Sequence, residues 1–224
     1  IATVVAGVAR ACQAAGCALL GGETAEMPGV YIEGELDLAG TIIGVVEKAK
    51  VIDGSTIQIS DIIIGIPSNG LHTNGYSLAR RVLDHLDWSE RLDDGISISD
   101  TLLAVHRSYL SPIRRLWAAN IVIKGMAHIT GGGFIDNLPR ILPTGVGAVI
   151  NHGTWPVLPI FNRIQSTGQI KSAEMFHVFN MGLGMLIVLS QEQALKAVTV
   201  LAGDAFTVGH IISGDQTVVI EGLP

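Results

Sequence analysis

Apolar positions along the chain recur in two rhythms, one of 3.6 residues and one of short continuous runs. Ile1, Val4, Val5, Val8 and Cys12 share one helical face, and Gly16 stands where a helix ending at residue 15 would stop. Residues 17–20 read as a short buried strand. Residues 36–46, rich in β-branched side chains, read as a second strand entering a charged turn at Glu47-Lys48. The apolar run 62–66 reads as a strand, and Leu78, Val82, Leu83 and Leu86 after it have helical spacing. Residues 87–100 are polar and read as exposed. A helical pattern over 101–116 precedes a short strand at 121–123 and a helix over 134–142 interrupted by Pro139. Residues 161–166 read as helix and 185–189 as strand. Ser190 is placed to cap a helix over 191–201 that Gly203 ends, and strands near 206–212 and 217–220 close the pattern. Strands and helices alternate, so the fold class is α/β or α+β, with helices packed on a sheet. Asp53-Gly54-Ser55 reads as a linker, which divides the chain into domains 1–54 and 55–224.

Composition narrows this picture. Of 224 residues, 48% are hydrophobic and 15% charged, as in a globular chain with much buried sheet. The net charge is −6 with no block of Lys or Arg, which argues against a nucleic-acid partner. No apolar run approaches the ~20 residues that span a bilayer, and two cysteines give no disulfide framework. The expectation is a soluble cytoplasmic protein. Ile1 is not Met and already lies in a helical pattern with no cap before it, so the sequence reads as the later part of a longer protein.

The 27 glycines cluster between apolar runs. Glycine-rich loops over 21–29, 68–75, 130–133 and 180–184 each follow or precede an expected strand, more than turn chemistry requires. The loop Pro67-Ser68-Asn69-Gly70-Leu71-His72-Thr73-Asn74-Gly75-Tyr76-Ser77 joins strand to helix. Its backbone N–H groups can approach an anion, and Thr73 or Asn74 can cap the helix whose first turn faces the same ligand. His72 adds a group that titrates near neutrality beside that anion. A plain turn with a surface His accounts for the same string equally well. Glu23 and Glu26, with Thr24 between them, could hold Mg²⁺ through oxygen ligands or be solvated loop charges. No P-loop, dinucleotide fingerprint, zinc-hydrolase or serine-hydrolase motif is present. His106, His152, His177 and His210 follow no ligand spacing and read as surface or packing residues.

The strings GGETAEMPG, SNGLHTNGYSLARRVL, AHITGGGFIDNLPRILP and FNMGLGM occur in this order over nearly the whole chain. Together they resemble the phosphoribosylformylglycinamidine cyclo-ligases, or aminoimidazole ribonucleotide synthetases. The resemblance implies a two-domain synthetase-like fold whose N-terminal domain is incomplete here, a homodimer formed through that domain, and use of ATP and Mg²⁺. It implies cyclisation of formylglycinamidine ribonucleotide to aminoimidazole ribonucleotide in purine synthesis, after phosphorylation of the formamide oxygen. On the same basis His72 and His128 are the candidate catalytic residues. Ser68, Asn69, Gly70, Thr73, Asn74, Gly75, Ser77, Thr130, Gly131, Gly132, Gly133, Glu23 and Thr24 are candidate substrate or phosphate ligands, and Glu26 a metal ligand. The family's glycine-rich segment and metal aspartates precede the point where this sequence begins.

Two departures stand out. Where the family commonly has Pro-Thr-Arg after a Leu-Leu pair, this chain has Ala104-Val105-His106-Arg107, and Ser60 precedes Asp61 where Gly-Asp is usual. Alternatives within the ATP-using superfamily are a selenophosphate synthetase, a thiamine-phosphate kinase or a hydrogenase-maturation dehydratase. A third is an inactive fragment that binds substrate alone.

Overall fold

The structure is a computed structural model that describes residues 1–223, and it divides into two compact units, one ending at Lys50 and the other starting at Val51. In the first unit, helix α1 (Ala2–Ala15) ends as its sequence requires. Gly16 takes a left-handed conformation (φ 70°) and its N–H returns to the carbonyls of Cys12 and Gln13. Residues 17–47 then contain no strand, which corrects the strands expected at 17–20 and 36–46. A strand exists only as a rung of a ladder, and no segment of this unit pairs with either stretch. Ile42, Ile43 and Val45 consequently stand 87%, 82% and 102% exposed.

The second unit is built on a mixed six-stranded sheet. Its strands are β1 (Ile62–Pro67), β2 (Gly125–His128), β3 (Val146–Asn151), β4 (Leu183–Leu189), β5 (Phe206–Ser213) and β6 (Val218–Glu221), in spatial order β2-β4-β1-β5-β3-β6. All neighbours are antiparallel except β3 and β6. The continuous apolar run of β1 is explained by its central place, because both its faces are covered. Ile63 faces a core formed with Ala79 and Leu83 of α2 (Tyr76–Leu83), Phe134 of α5 (Gly133–Asn137), Phe161 of α6 (Pro159–Gly168) and Phe176 of α7 (Ser172–Val178). Ile64 and Ile66 face the opposite core, with Ile113 and Leu116 of α4 (Leu110–Ala118) and Ala194, Ala197 and Leu201 of α8 (Gln191–Leu201). Ser190 caps α8 by accepting from the Gln193 N–H, as its position predicts. The left-handed residue that ends this helix is Ala202, one place before the expected Gly203.

Several local expectations are corrected. The helix expected over 101–116 is two helices, α3 (Ile98–Leu102), which Ser97 caps at its start, and α4. Irregular chain follows α3, where the Asn69 side chain donates to the Val105 carbonyl. The stretch 87–100, expected to be exposed, buries Leu92, Ser97 and Ile98. Ile121 and Ile123 are buried but irregular, and the strand begins only at Gly125. Strand β3 and helix α7 carry no expectation from the sequence. In β3 the glycine of Val-Gly-Ala-Val weakens the strand signal, and it is needed because a Cβ on Gly147 would lie 2.9 Å from the Thr217 carbonyl.

The entry to β1 is fixed by charge. Lys124 Nζ lies 2.7 and 2.8 Å from the two carboxylate oxygens of buried Asp61, which also accepts from the Gln58 N–H. Among the described residues, no helix is long and apolar enough to cross a membrane.

Candidate functional site

Antiparallel pairing of β1 and β2 with β4 brings three chain segments to one end of the sheet. Pro67 pairs with Leu183 and His128 with Met185, so the loops leaving β1 and β2 meet the loop entering β4. The loop of residues 68–75, the start of the 128–133 loop and the 180–184 loop therefore share this end. The segment before α4 joins them, because Arg107 Nη1 and Tyr109 Oη both donate to the Pro67 carbonyl, at 3.0 and 3.2 Å. Arg107 also pairs with Asp204, just before β5.

Buried asparagines hold this architecture. Asn180 Oδ1 accepts from Ser68 Oγ (2.8 Å) and from the Gly182 N–H (2.9 Å), while its Nδ2 donates to the Gly70 carbonyl (2.9 Å). Asn137 clasps the next loop: its Nδ2 donates to the carbonyls of Thr130, Gly131 and Gly133, and its Oδ1 accepts from Thr130 Oγ1. The hydroxyls of Ser68 and Thr130, two candidate ligands, are thus engaged within the protein. Two glycines are set by close approach. A Cβ on Gly75 would sit 2.3 Å from the Phe179 ring, and one on Gly184 would sit 1.9 Å from Tyr109 Oη and 2.6 Å from His72 Cε1.

Neither Thr73 nor Asn74 caps α2. Its N-cap is Gly75 in a left-handed conformation with no side-chain cap, so its first turn keeps N–H groups that no side chain occupies. Asn74 instead points toward the neighbouring loop, its Oδ1 3.5 Å from the place a Cβ would take on Gly131. Thr73, Ser77 and Gly131 are exposed, as is Asn69, and Gly132 is half-buried. Glu23, Thr24 and Glu26 lie in the irregular, exposed part of the first unit.

The centre of the site is a group of aromatic side chains. His72 and His106 stack with centroids 3.8 Å apart and planes 16° apart, and His128 lies 5.2 Å from His106 and 6.4 Å from His72. Tyr109 closes the group, 5.9 Å from His72 and 6.0 Å from His128. His72 is held at φ 61°, a left-handed position that a non-glycine residue occupies only when its surroundings fix it. Burial, then the nearby His106, His128 and Arg107, push its pKa down to about 3, so it is neutral at pH 7. Burial lowers the pKa of His106, with His128 adding to the effect, and burial lowers that of His128. Burial raises the Tyr109 phenol above its ordinary value.

His106 corrects the sequence reading, which placed it among surface or packing residues. It carries no glycine signature and no ligand spacing, and joins His72 only through the fold. The signal that could have found it is the departure from Pro-Thr-Arg at residues 104–107. Asn137 and Tyr109 were likewise invisible without the tertiary contacts they make.

The AIR synthase related protein, C-terminal domain, family matches residues 58–221, and the AIR synthase related protein, N-terminal domain, family matches residues 1–46. The chain is 48% identical over 225 residues to the phosphoribosylformylglycinamidine cyclo-ligase of Geobacillus thermodenitrificans (strain NG80-2), covering 96% of this chain and 64% of that protein. It is 49% identical over 230 residues to the protein of that name from Myxococcus xanthus (strain DK1622), covering 98% of this chain and 66% of that one. The chain thus spans a little under two thirds of the length of these curated relatives. Among solved structures, the hydrogenase maturation protein HypE in complex with ATP superposes with a TM-score of 0.53 at 19% identity, over 75% of this chain and 49% of that one. That likeness shows a shared fold. The chain belongs to the AIR synthase related family.

Proposed function

We propose that the protein carrying this chain is an ATP-dependent cyclo-ligase that converts formylglycinamidine ribonucleotide to aminoimidazole ribonucleotide in purine synthesis. The observation that carries this reading is identity near one half, along almost the whole chain, to relatives bearing the cyclo-ligase name. The site's chemistry is compatible with it. ATP transfers its γ-phosphoryl group to the formamide oxygen, a substrate nitrogen attacks the formamide carbon, and the C–O bond breaks as inorganic phosphate leaves. Positioning and charge neutralisation dominate phosphoryl transfer. The uncapped first turn of α2 offers N–H groups to a phosphate, beside the exposed Thr73, Ser77 and Gly131. His72, neutral at pH 7, offers a hydrogen-bond acceptor rather than a strong base, with His128 on the same cleft.

Mg²⁺ belongs to the same proposal, with Glu26 as its candidate oxygen ligand and Glu23 beside it. Glu23 and Glu26 are exposed, and among the described residues neither belongs to a group of three potential ligands. No step is therefore assigned to Glu23, Thr24, Glu26 or Mg²⁺. In this reading residues 55–224 present the substrate loops, and residues 1–54 provide the nucleotide-side and dimer contacts. Support for a homodimer is the exposed apolar row that includes Ile42, Ile43 and Val45. A cytoplasmic location is proposed together with this activity.

The test is ring closure. The full-length protein, given formylglycinamidine ribonucleotide and ATP, forms the aminoimidazole with one ADP released per ring. Rapid ATP hydrolysis without aminoimidazole refutes the assignment and favours another kinase-like member of the superfamily.

A further inference from the structure

Each of His72, His106 and His128 offers a ring nitrogen, and these three nitrogens lie within 4.8 Å of one another. Among the described residues this is the one group of three or more such ligands. The tautomer of His72 is fixed by its neighbour. Asn69 Nδ2 donates to the Val105 carbonyl (2.8 Å), and Asn69 Oδ1 accepts from the Arg107 N–H (3.2 Å), so the amide cannot be turned round. His72 Nε2, 3.1 Å from that same Oδ1, must then be the protonated nitrogen. His72 Nδ1 is left as a bare lone pair, fully buried and without a hydrogen-bond partner. A buried acceptor without a donor is costly and uncommon, and it calls for a ligand.

We propose that His72, His106 and His128 form a binding site for a divalent transition metal of the Zn²⁺ type, with His72 bound through Nδ1. Three neutral imidazoles suit such an ion, and a water or a substrate atom takes the fourth position of a tetrahedral site. Zn–N bonds of ~2.0–2.1 Å set ligand nitrogens about 3.3 Å apart, so the cluster closes by about 1.5 Å at most. His106 is half-buried and His128 exposed, which lets these two rings rotate onto the ion while His72 stays fixed. The histidine–amide hydrogen bond is the partner a metal-bound histidine needs on its other nitrogen. The backbone that supplies Asn69 with its fixing contacts, Val105 and Arg107, also carries His106. That is the segment at which this chain departs from Pro-Thr-Arg. The proposal stands on this geometry; a His72 bound through Nδ1 gives its one lone pair to the ion, so it then acts as a ligand and not as the acceptor or base for ring closure.

The test uses Co²⁺ as a coloured probe on the 224-residue chain stripped with chelator. One equivalent should give the intense visible d–d absorption of a tetrahedral ion, and Zn²⁺ should bleach it by competition. His106→Ala and His128→Ala should each abolish the colour while circular dichroism stays that of the parent. Asn69→Ala, a change at a positioning residue, should weaken Zn²⁺ by ~10–100-fold. Asn69→Asp, which keeps the acceptor, should restore affinity to within ~10-fold of the parent. Absence of tetrahedral absorption overturns the proposal. So does colour that persists without both His106 and His128, because the ion would then sit elsewhere.

Discussion

Asn180 carries the heaviest structural demand near the site, and replacing it by alanine measures that demand. The side chain is 3% exposed, and its three partners Ser68, Gly70 and Gly182 are buried as well. Asn180→Ala leaves the Gly182 N–H, the Gly70 carbonyl and the Ser68 hydroxyl without the asparagine. Each stranded buried group costs ~1–3 kcal/mol, with the rotatable Ser68 hydroxyl at the low end. The sum lies at ~3–7 kcal/mol, against the ~0.5–1.5 kcal/mol expected for Ser68→Ala, which leaves Asn180 still accepting from Gly182. Trp88, Trp117 and Trp155 all lie in the second unit, so their fluorescence in a urea titration reports its unfolding. With a urea m-value of ~2–3 kcal/mol/M, Asn180→Ala should lower the midpoint by more than about 1 M without changing m. The double variant should cost less than the two single changes added, because both remove the same hydrogen bond. Amide exchange at Gly70 and Leu71 should accelerate, since their loop loses its side-chain tie to the loop that enters β4. A loss below about 1 kcal/mol at constant m would refute this account, and Asn180 would then be a surface-like residue despite its burial.

Other perturbations give results of different sign. Ser60 sits at φ 74° ahead of Asp61, so Ser60→Gly should stabilise by about 1 kcal/mol in the same titration; a loss of stability would show that the serine side chain has a role no contact reveals. Gly184→Ala drives a methyl into Tyr109 and His72 and should cost ~1–3 kcal/mol, while a variant of parental stability would mean that the Tyr109 ring moves aside freely. The pKa of His72 falls from an unfolded value of 6.5 to about 3 on folding. Its contribution to stability is therefore complete above pH 6.5 and is lost as pH drops toward 3, by up to ~1.4 kcal/mol per unit. In metal-free protein the urea midpoint should fall between pH 6.5 and 5 more steeply for the parent than for His72→Asn, a side chain that tolerates the left-handed backbone. Parallel profiles would place the acid sensitivity elsewhere.

Local pattern reports some of this structure well. Gly16 ended α1, Ser190 capped α8 and 62–66 formed a strand because each outcome depends on a few neighbouring residues. The strands at 17–20 and 36–46 failed for the opposite reason. Their β-branched residues fit a pleated surface, but a ladder needs a second chain segment, and nothing in a one-dimensional pattern states which segment is present. The run 101–116 failed in a third way. Its apolar spacing is helical at both ends, yet Asn69, more than thirty residues away, takes the Val105 carbonyl between the two helices.

The site divides along the same line. His72 and His128 were legible because each lies in a glycine-rich string at a strand end, and antiparallel pairing with β4 carries both strand ends to one place. His106 has no local mark, and its role arises only when the segment before α4 folds over Pro67. The consequence for the chemistry is specific. With two histidines, a buried lone pair on His72 would face one partner ring and could be satisfied by a single water. With the third, one ring nitrogen from each histidine lies within 4.8 Å of the other two, and the side chain that fixes the His72 tautomer is fixed in turn by the segment that carries His106. A change in this one segment therefore alters both the ligand count and the orientation of the group already present, which is why His106 and Asn69 must be tested together with His72.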